Sequence, residues 1–281
     1  MARQLIILTL LSFLLSSCDF LDFKGMVATY TDVDERFETS IAWNEMHASR
    51  DIISTDDDYT LFIMSDSHLG GTKNITEMYD AARADSAEAV LMIGDLCSGN
   101  EEDYDTLNVV INRYSDIPSL QVIGNHDLYF EGWEYYYNYF GSSTYYFSVT
   151  TPNDSDLFIM LDTGGGTLGE IQLQWFKDVL ESKRSNYRNC TVLTHNNLIR
   201  SRYTISTQPM QEEVKMLLDL FLKYEIDYCI AGHDHKYDAF TFGNTHYIVT
   251  DALLDGYKDA AYLKFNTKDG TISVSHHPVS E

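Results

Sequence analysis

From Leu61 onward the chain alternates short apolar runs with stretches whose apolar positions recur every three or four residues. The runs are Leu61-Phe62-Ile63-Met64, Val90-Leu91-Met92-Ile93, Leu120-Gln121-Val122-Ile123, Thr191-Val192-Leu193-Thr194 and Tyr228-Cys229-Ile230-Ala231. Consecutive apolar positions over so short a length suit strands buried on both faces. Between them, residues 74–88, 101–114, 169–182 and 211–224 carry helical spacing. Strand, helix, strand at intervals of about thirty residues is the βαβ signature of a mostly parallel sheet. The carboxyl ends of such strands share one edge, where ligands bind.

Each run ends in residues that ligate metals. The first leads into Ser65-Asp66-Ser67-His68, the second into Gly94-Asp95 and the third into Gly124-Asn125-His126-Asp127. The fourth leads into His195, and the fifth into Gly232-His233-Asp234-His235. Asp66, Asp95, Asn125, His195 and His233 are therefore expected to converge although they are far apart in sequence. Carboxylates and imidazoles together suit divalent first-row metals. Two Asp, four His and one Asn are too many donors for one ion but fit two ions sharing a carboxylate, an arrangement that supports in-line phosphoryl displacement. Asp66 with His68, and His233 with His235, stand two residues apart, on one side of a locally extended chain. The glycines at 94, 124 and 232 let the backbone turn tightly before each ligand.

The full chain has 281 residues, with 19 basic and 43 acidic side chains and a formal charge of −24. A surface so negative repels nucleic-acid backbone, so no nucleic-acid partner is expected, and a phosphate-handling site must supply its own positive charge. The N-terminus is distinct. Arg3 precedes an apolar run from Leu5 to Leu15, then Ser16-Ser17-Cys18. Eleven residues make a signal-peptide core too short to span a bilayer. Leu15-Ser16-Ser17-Cys18 resembles the lipobox of bacterial lipoproteins, which implies a signal peptide over 1–17, lipidation of Cys18 and a protein exported and anchored to a bacterial membrane, periplasmic or at the cell surface. An ordinary cleaved signal that happens to contain a cysteine is the alternative. Residues 18–57 then form a lipidated N-terminus and tether, with Phe37, Ile41 and Trp43 spaced for one short helix packing on the body. No internal repeat occurs, and no second boundary is visible after residue 58.

The ordered set D-x-H, G-D, G-N-H-D, a lone His and G-H-x-H resembles the calcineurin-like metallophosphoesterase family. Phe140-Gly141, Tyr145-Tyr146-Phe147 and Gln172-Leu173-Gln174-Trp175-Phe176 add further likeness. The resemblance implies an α/β domain over 58–281, a two-sheet β-sandwich flanked by helices in four layers, αββα. It implies two divalent ions (Mn, Fe, Zn or similar), one held by Asp66, His68, Asp95 and His235 and the other by Asp95, Asn125, His195 and His233. A hydroxide bridging the metals would attack a small phosphomono- or phosphodiester, His126 would protonate the leaving oxygen, and Asp127 would orient and charge that imidazole. Purple acid phosphatases carry a tyrosine three residues after the bridging aspartate and a glycine in place of His68. Ser98 and His68 stand at those positions, so an Fe(III)–tyrosinate site is not implied. Asn196-Asn197 replaces the proline-containing turn common in relatives. The rival reading is a surface lipoprotein that keeps the metal site for binding or structure without turnover.

Other residues have plainer readings. His47, His246, His276 and His277 lie outside the pattern. Asp162, ending the run Leu157-Phe158-Ile159-Met160-Leu161, reads as a loop anchor, and Asp234 as pointing away from its two neighbours. Eleven aromatics between Tyr129 and Phe147 read as packing for a helix, with one or two of them able to line a cleft. Cys97, Cys190 and Cys229 read as buried free thiols, a Cys190–Cys229 bridge being the alternative.

Overall fold

The computed structural model describes residues 29, 31–200 and 210–280. The expected signal peptide and Cys18 therefore lie outside the described residues. The first element among the described residues is helix α1 (Val33–Met46), opened by a capping box. Asp32 Oδ1 accepts from Glu35 N at 2.9 Å and Glu35 Oε2 from Asp32 N at 3.3 Å. Phe37 on its buried face meets Trp175 edge-on, with ring centroids 5.9 Å apart. The largest fully buried side chain on that face is not apolar but Arg36, only 1% exposed.

Next come β1 (Ile52–Ile53), β2 (Tyr59–Met64), α2 (Lys73–Ala84), β3 (Ala89–Ile93), α3 (Glu101–Arg113) and β4 (Ser119–Val122). A 3-10 turn over His126–Glu131 runs into α4 (Gly132–Phe140), the helix of the aromatic segment. There follow β5 (Tyr145–Thr150), β6 (Ser155–Leu161), α5 (Gly169–Lys183), β7 (Cys190–Thr194), α6 (Gln211–Lys223) and β8 (Tyr228–Ala231). The chain closes with β9 (Asp238–Phe242), β10 (Thr245–Val249), β11 (Ala261–Lys268) and β12 (Thr271–Pro278).

The strands form a seven-stranded sheet, β1-β5-β6-β7-β8-β10-β9, and a five-stranded sheet, β12-β11-β2-β3-β4. Both are mixed: β2-β3-β4 and β6-β7-β8-β10 run parallel, while β11 and β9 pair antiparallel. The five apolar runs thus do not share one sheet. Three lie in the smaller sheet and two in the larger, because a strand buried on both faces reads alike in either. Strand alternation divides each run between two layers. Leu61, Ile63, Leu91 and Ile93 meet Phe158, Leu193 and Ile230 between the sheets. Phe62, Met64, Val90 and Met92 face outward onto Tyr79, Tyr104, Trp133 and Tyr136 of the flanking helices. On the far side Ile159 and Val192 pack against Phe176, Leu217 and Phe221. The result is the four-layer αββα sandwich.

Cys97, Cys190 and Cys229 are buried free thiols. In the parallel β7–β8 pair Cys229 stands opposite Val192, two residues beyond Cys190. That stagger is too long for a disulfide, whose Cα atoms lie about 4.4–6.8 Å apart. Among the described residues no helix is long and apolar enough to cross a membrane.

Candidate metal centre

The carboxyl ends of β2, β3 and β4 from one sheet and of β7 and β8 from the other open onto a common edge. Backbone bonds across this edge lock the loops together. Asp66 N donates to Gly94 O at 3.0 Å, His68 N to Asp95 O at 2.9 Å, and Gly232 N to His195 O at 3.0 Å. Five of the predicted ligands adopt left-handed backbone: Asp66 (φ 55°), His68 (44°), Asp95 (50°), His233 (68°) and His235 (50°). Such non-glycine conformations are costly and persist where the surroundings over-determine them. The D-x-H and H-x-H pairs are thus aligned by left-handed turns, not by extended chain. Gly94 (φ +89°) meets both demands of a tight site, since a Cβ there would also fall 2.6 Å from the His195 ring. At Gly232 the need is space: a Cβ would stand 1.9 Å from Ser65 Oγ and 2.6 Å from Asp66 Oδ2.

Two groups of side chains emerge. Asp66, His68, Asp95 and His235 bring one ligand atom each within 4.8 Å of one another, and so do Asp95, His195 and His233. Asp95 belongs to both. Asn125 joins the second group, its Oδ1 lying 3.2 Å from His195 Nε2. The structure therefore gathers all seven predicted ligands, and His233 and His235 divide between the two groups.

The donor set fits cations. His195 Nδ1 lies 3.0 Å from Ile93 O, and with that nitrogen as donor Nε2 is left as a ligand. Around Nε2 stand Asp95 Oδ2, Asn125 Oδ1 and His233 Nδ1, each at 3.2 Å. On the other side His68 Nε2 and His235 Nε2 are 3.2 Å apart. Asp66 Oδ1 is buried with no hydrogen bond, although it lies 3.1 Å from His235 Nε2 without the alignment a bond needs. So many lone pairs facing one another repel unless positive charge sits among them.

Protonation tells the same story. Burial would raise the Asp66 and Asp95 carboxyls, but the neighbouring imidazoles outweigh it and hold both well below the ordinary range. Burial pulls His68 down to about 4, and burial together with His195 pulls His233 down to about 3, so both offer unprotonated nitrogen at neutral pH. His195 goes the other way. Burial alone would depress it, yet the Asp95 carboxylate, hydrogen-bonded to it, pushes it up to about 9.

His126 lies at the same edge, half-buried. Its N–H donates to Asp95 Oδ1 at 2.7 Å, and its ring meets His68 edge-on at 4.4 Å and Tyr129 at 4.5 Å. Asp127 does not orient that ring, contrary to what the resemblance implies. Its buried carboxylate accepts from Cys97 N (2.8 Å), Gly124 N (2.9 Å) and Leu96 N (3.2 Å), with Tyr104 Oη at 3.3 Å. It ties the Asp95 loop to the Asn125 loop. The reason is geometric: in a 3-10 turn adjacent side chains diverge, so residue 127 points into the body while residue 126 faces the edge. Burial and the charge of Asp95 raise the Asp127 carboxyl to about 7.

Asp234 points away from both ligand groups, accepting from Asn197 Nδ2 at 2.9 Å and pairing with Arg200 Nη2 at 2.6 Å. Asp162 anchors a loop and contributes to neither group. Sequence reading passed over Thr163, whose Oγ1 accepts from His195 N at 3.2 Å and Asn196 N at 2.9 Å. It also passed over Ser65, whose Oγ donates to Ile93 O at 3.0 Å. Neither carries a sequence signal, since both act by lying next to a residue that the fold brings in.

The sequence matches the calcineurin-like phosphoesterase family over residues 59–237, well over half of the chain. A dimetal phosphatase from Danio rerio is similar in structure, with a TM-score of 0.65 at 13% identity, covering 79% of this chain and 97% of that one. A purple acid phosphatase from yellow lupin seeds gives 0.58 at 16% identity, over 80% of this chain and 52% of that one. A putative 5′-nucleotidase from Staphylococcus aureus gives 0.56 at 14% identity, over 80% and 55%. At such identities the likeness establishes the fold. No curated protein matches the chain in sequence.

Proposed function

The chain belongs to the calcineurin-like phosphoesterase family and is a metal-dependent phosphoesterase, and from that premise we propose that it hydrolyses a small phosphomono- or phosphodiester outside the cytoplasm, tethered to a bacterial membrane through Cys18. Asp66, His68, Asp95 and His235 would hold one divalent ion; Asp95, Asn125, His195 and His233 would hold the second. The observation that carries this reading is Asp95, shared by two ligand groups drawn from both sheets. Two such ions supply a water acidified to near-neutral pKa and positive charge for the phosphoryl oxygens.

The chain's own residues supply the rest. Asp66 Oδ2 accepts from His233 N at 2.9 Å and Asp95 Oδ1 from His126 N at 2.7 Å, so each carboxylate is oriented by a neighbouring loop. His126 donates a proton to the departing oxygen, a step commonly worth about a hundred- to ten-thousandfold in rate. Its ring is placed by packing on His68 and Tyr129 rather than by a carboxylate. No covalent enzyme intermediate is needed. The cysteine thiols are no candidates for one, since burial pushes Cys190 and Cys229 up to about 12 and raises Cys97 as well.

The test combines elemental analysis of purified protein with turnover of mono- and bis-p-nitrophenyl phosphate in added manganese. Two ions per chain with turnover of either substrate supports the reading. Two ions without turnover on any phosphoester returns the non-catalytic lipoprotein, and no bound ion overturns both. Labelling with a radioactive fatty acid in a bacterial host, lost on Cys18→Ser, tests the anchor separately.

A further inference from the structure

The family match begins at residue 59, yet the metal centre leans on a side chain well upstream of it. Arg36 of α1 is buried against Asp162, with Nε 2.7 Å from Oδ2 and Nη2 3.2 Å from Oδ1. This is a two-point pairing, which fixes a carboxylate in orientation as well as in place. The third guanidinium nitrogen, Nη1, donates to Thr31 O at 2.9 Å. Asp162 sits at the carboxyl end of β6, and its own contacts tie it into the turn that follows. Its Oδ1 accepts from Gly164 N at 3.0 Å, and its backbone N–H and C=O are both held by the Gln172 amide at 2.9 Å.

The turn from 162 to 164 is the surface on which two ligand loops rest. Thr163 Oγ1 accepts from both His195 N and Asn196 N, and Asn196 Nδ2 donates back to Thr163 O at 2.6 Å. Gly164 presses on the loop of Asn125: a Cβ there would stand 2.9 Å from Gly124 O. His195 and Asn125 both belong to the second ligand group, with His195 Nε2 3.2 Å from Asn125 Oδ1. Asp66, His68 and His235 make no such contact with this turn.

We propose that Arg36 is a positioning residue for the second ion: through Asp162 it fixes the turn that sets His195 and Asn125, so the helix preceding the family domain governs affinity at one of the two sites. The inference rests on the two-ion reading above. A lysine at 36 would restore the charge but not the fork, since an ammonium is a point donor. Partners outside the immediate ligand set typically change metal affinity by about ten- to a hundredfold when removed. For a residue two contacts away from His195, the lower end is expected.

The experiment is calorimetric titration of metal-stripped protein with Mn²⁺, supported by thermal melting, for wild type, Arg36→Met, Arg36→Lys and Phe37→Ala. Phe37→Ala loosens the same helix at its contact with Trp175 without touching Asp162. Wild type should take two ions. Arg36→Met should lose about tenfold in affinity for one ion and little for the other, and Arg36→Lys, which keeps the buried carboxylate paired and the chain folded, should lose severalfold for that same ion. Phe37→Ala should lower the melting temperature and leave both affinities unchanged. Equal binding by wild type and both Arg36 variants overturns the proposal, and so does parallel loss at both sites or the same selective loss in Phe37→Ala. Failure of wild type to bind two ions instead refutes the two-ion reading itself.

Discussion

Replacing Asp127 separates two roles that are indistinguishable in the sequence motif. If the carboxylate is a clamp between loops, Asp127→Ala strands the N–H groups of Leu96, Cys97 and Gly124 inside the protein. Each unsatisfied buried donor costs about 1–3 kcal/mol, and the long bond to Leu96 N belongs at the low end, so the loss is about 4–5 kcal/mol. Removing a carboxylate that burial and Asp95 have pushed up to about 7 offsets some of this. A net loss of about 3 kcal/mol remains. For a chain of this size that is a fall in melting temperature of about 5 °C, read by calorimetry on chelator-treated protein. Asp127→Asn keeps one acceptor oxygen but turns an amide donor toward backbone donors, and should melt between the two. The same variants should keep whatever leaving-group dependence the wild type shows once they are loaded with Mn²⁺ below their melting points. If Asp127→Ala melts within about 2 °C of wild type while its leaving-group dependence changes to that of a His126 variant, the clamp assignment is wrong and the orienting role is right.

His126→Ala should bind both ions as the wild type does and lose about a hundredfold or more in turnover of poor leaving groups, with much less loss on p-nitrophenyl esters; equal loss on both would remove the proton-donor role. Gly232→Ala forces a methyl group into Ser65 Oγ and Asp66 Oδ2, and Ser65 cannot yield because its hydroxyl is bound to Ile93 O. Titration with Mn²⁺ should show at least tenfold weaker binding at the group containing Asp66, and unchanged binding would mean that the loop relaxes freely. Chelation should abolish turnover and lower the melting temperature, both restored by Mn²⁺, because binding to the folded state alone adds stability that grows with ion concentration. A melting temperature insensitive to chelator would count against preformed ion sites.

Much of this centre was legible in the chain itself because its ligands obey local rules. Each follows an apolar strand, and a strand long enough to be buried on both faces reveals itself by uninterrupted apolar residues, whatever it pairs with. Asp66, Asp95, Asn125, His195 and His233 could be placed at one edge on that ground alone, and helices α2, α3, α5 and α6 followed from spacing with ends within a few residues. Strands β9 and β12 did not stand out, since their exposed faces interrupt the apolar pattern. What tertiary structure decided was everything that depends on which loop meets which. Two sheets, not one, present the ligands, because inward and outward faces of a buried strand carry the same residue types. Asp127 turned from its neighbour His126 to a clamp because adjacent side chains in a tight turn diverge. Arg36 and Thr163 became supports of His195 through contacts across more than a hundred residues of chain in one case and across neighbouring strands in the other. A sequence displays its own periodicity and its reactive side chains; the partner of a buried charge is set by close packing of distant segments, which leaves no local trace.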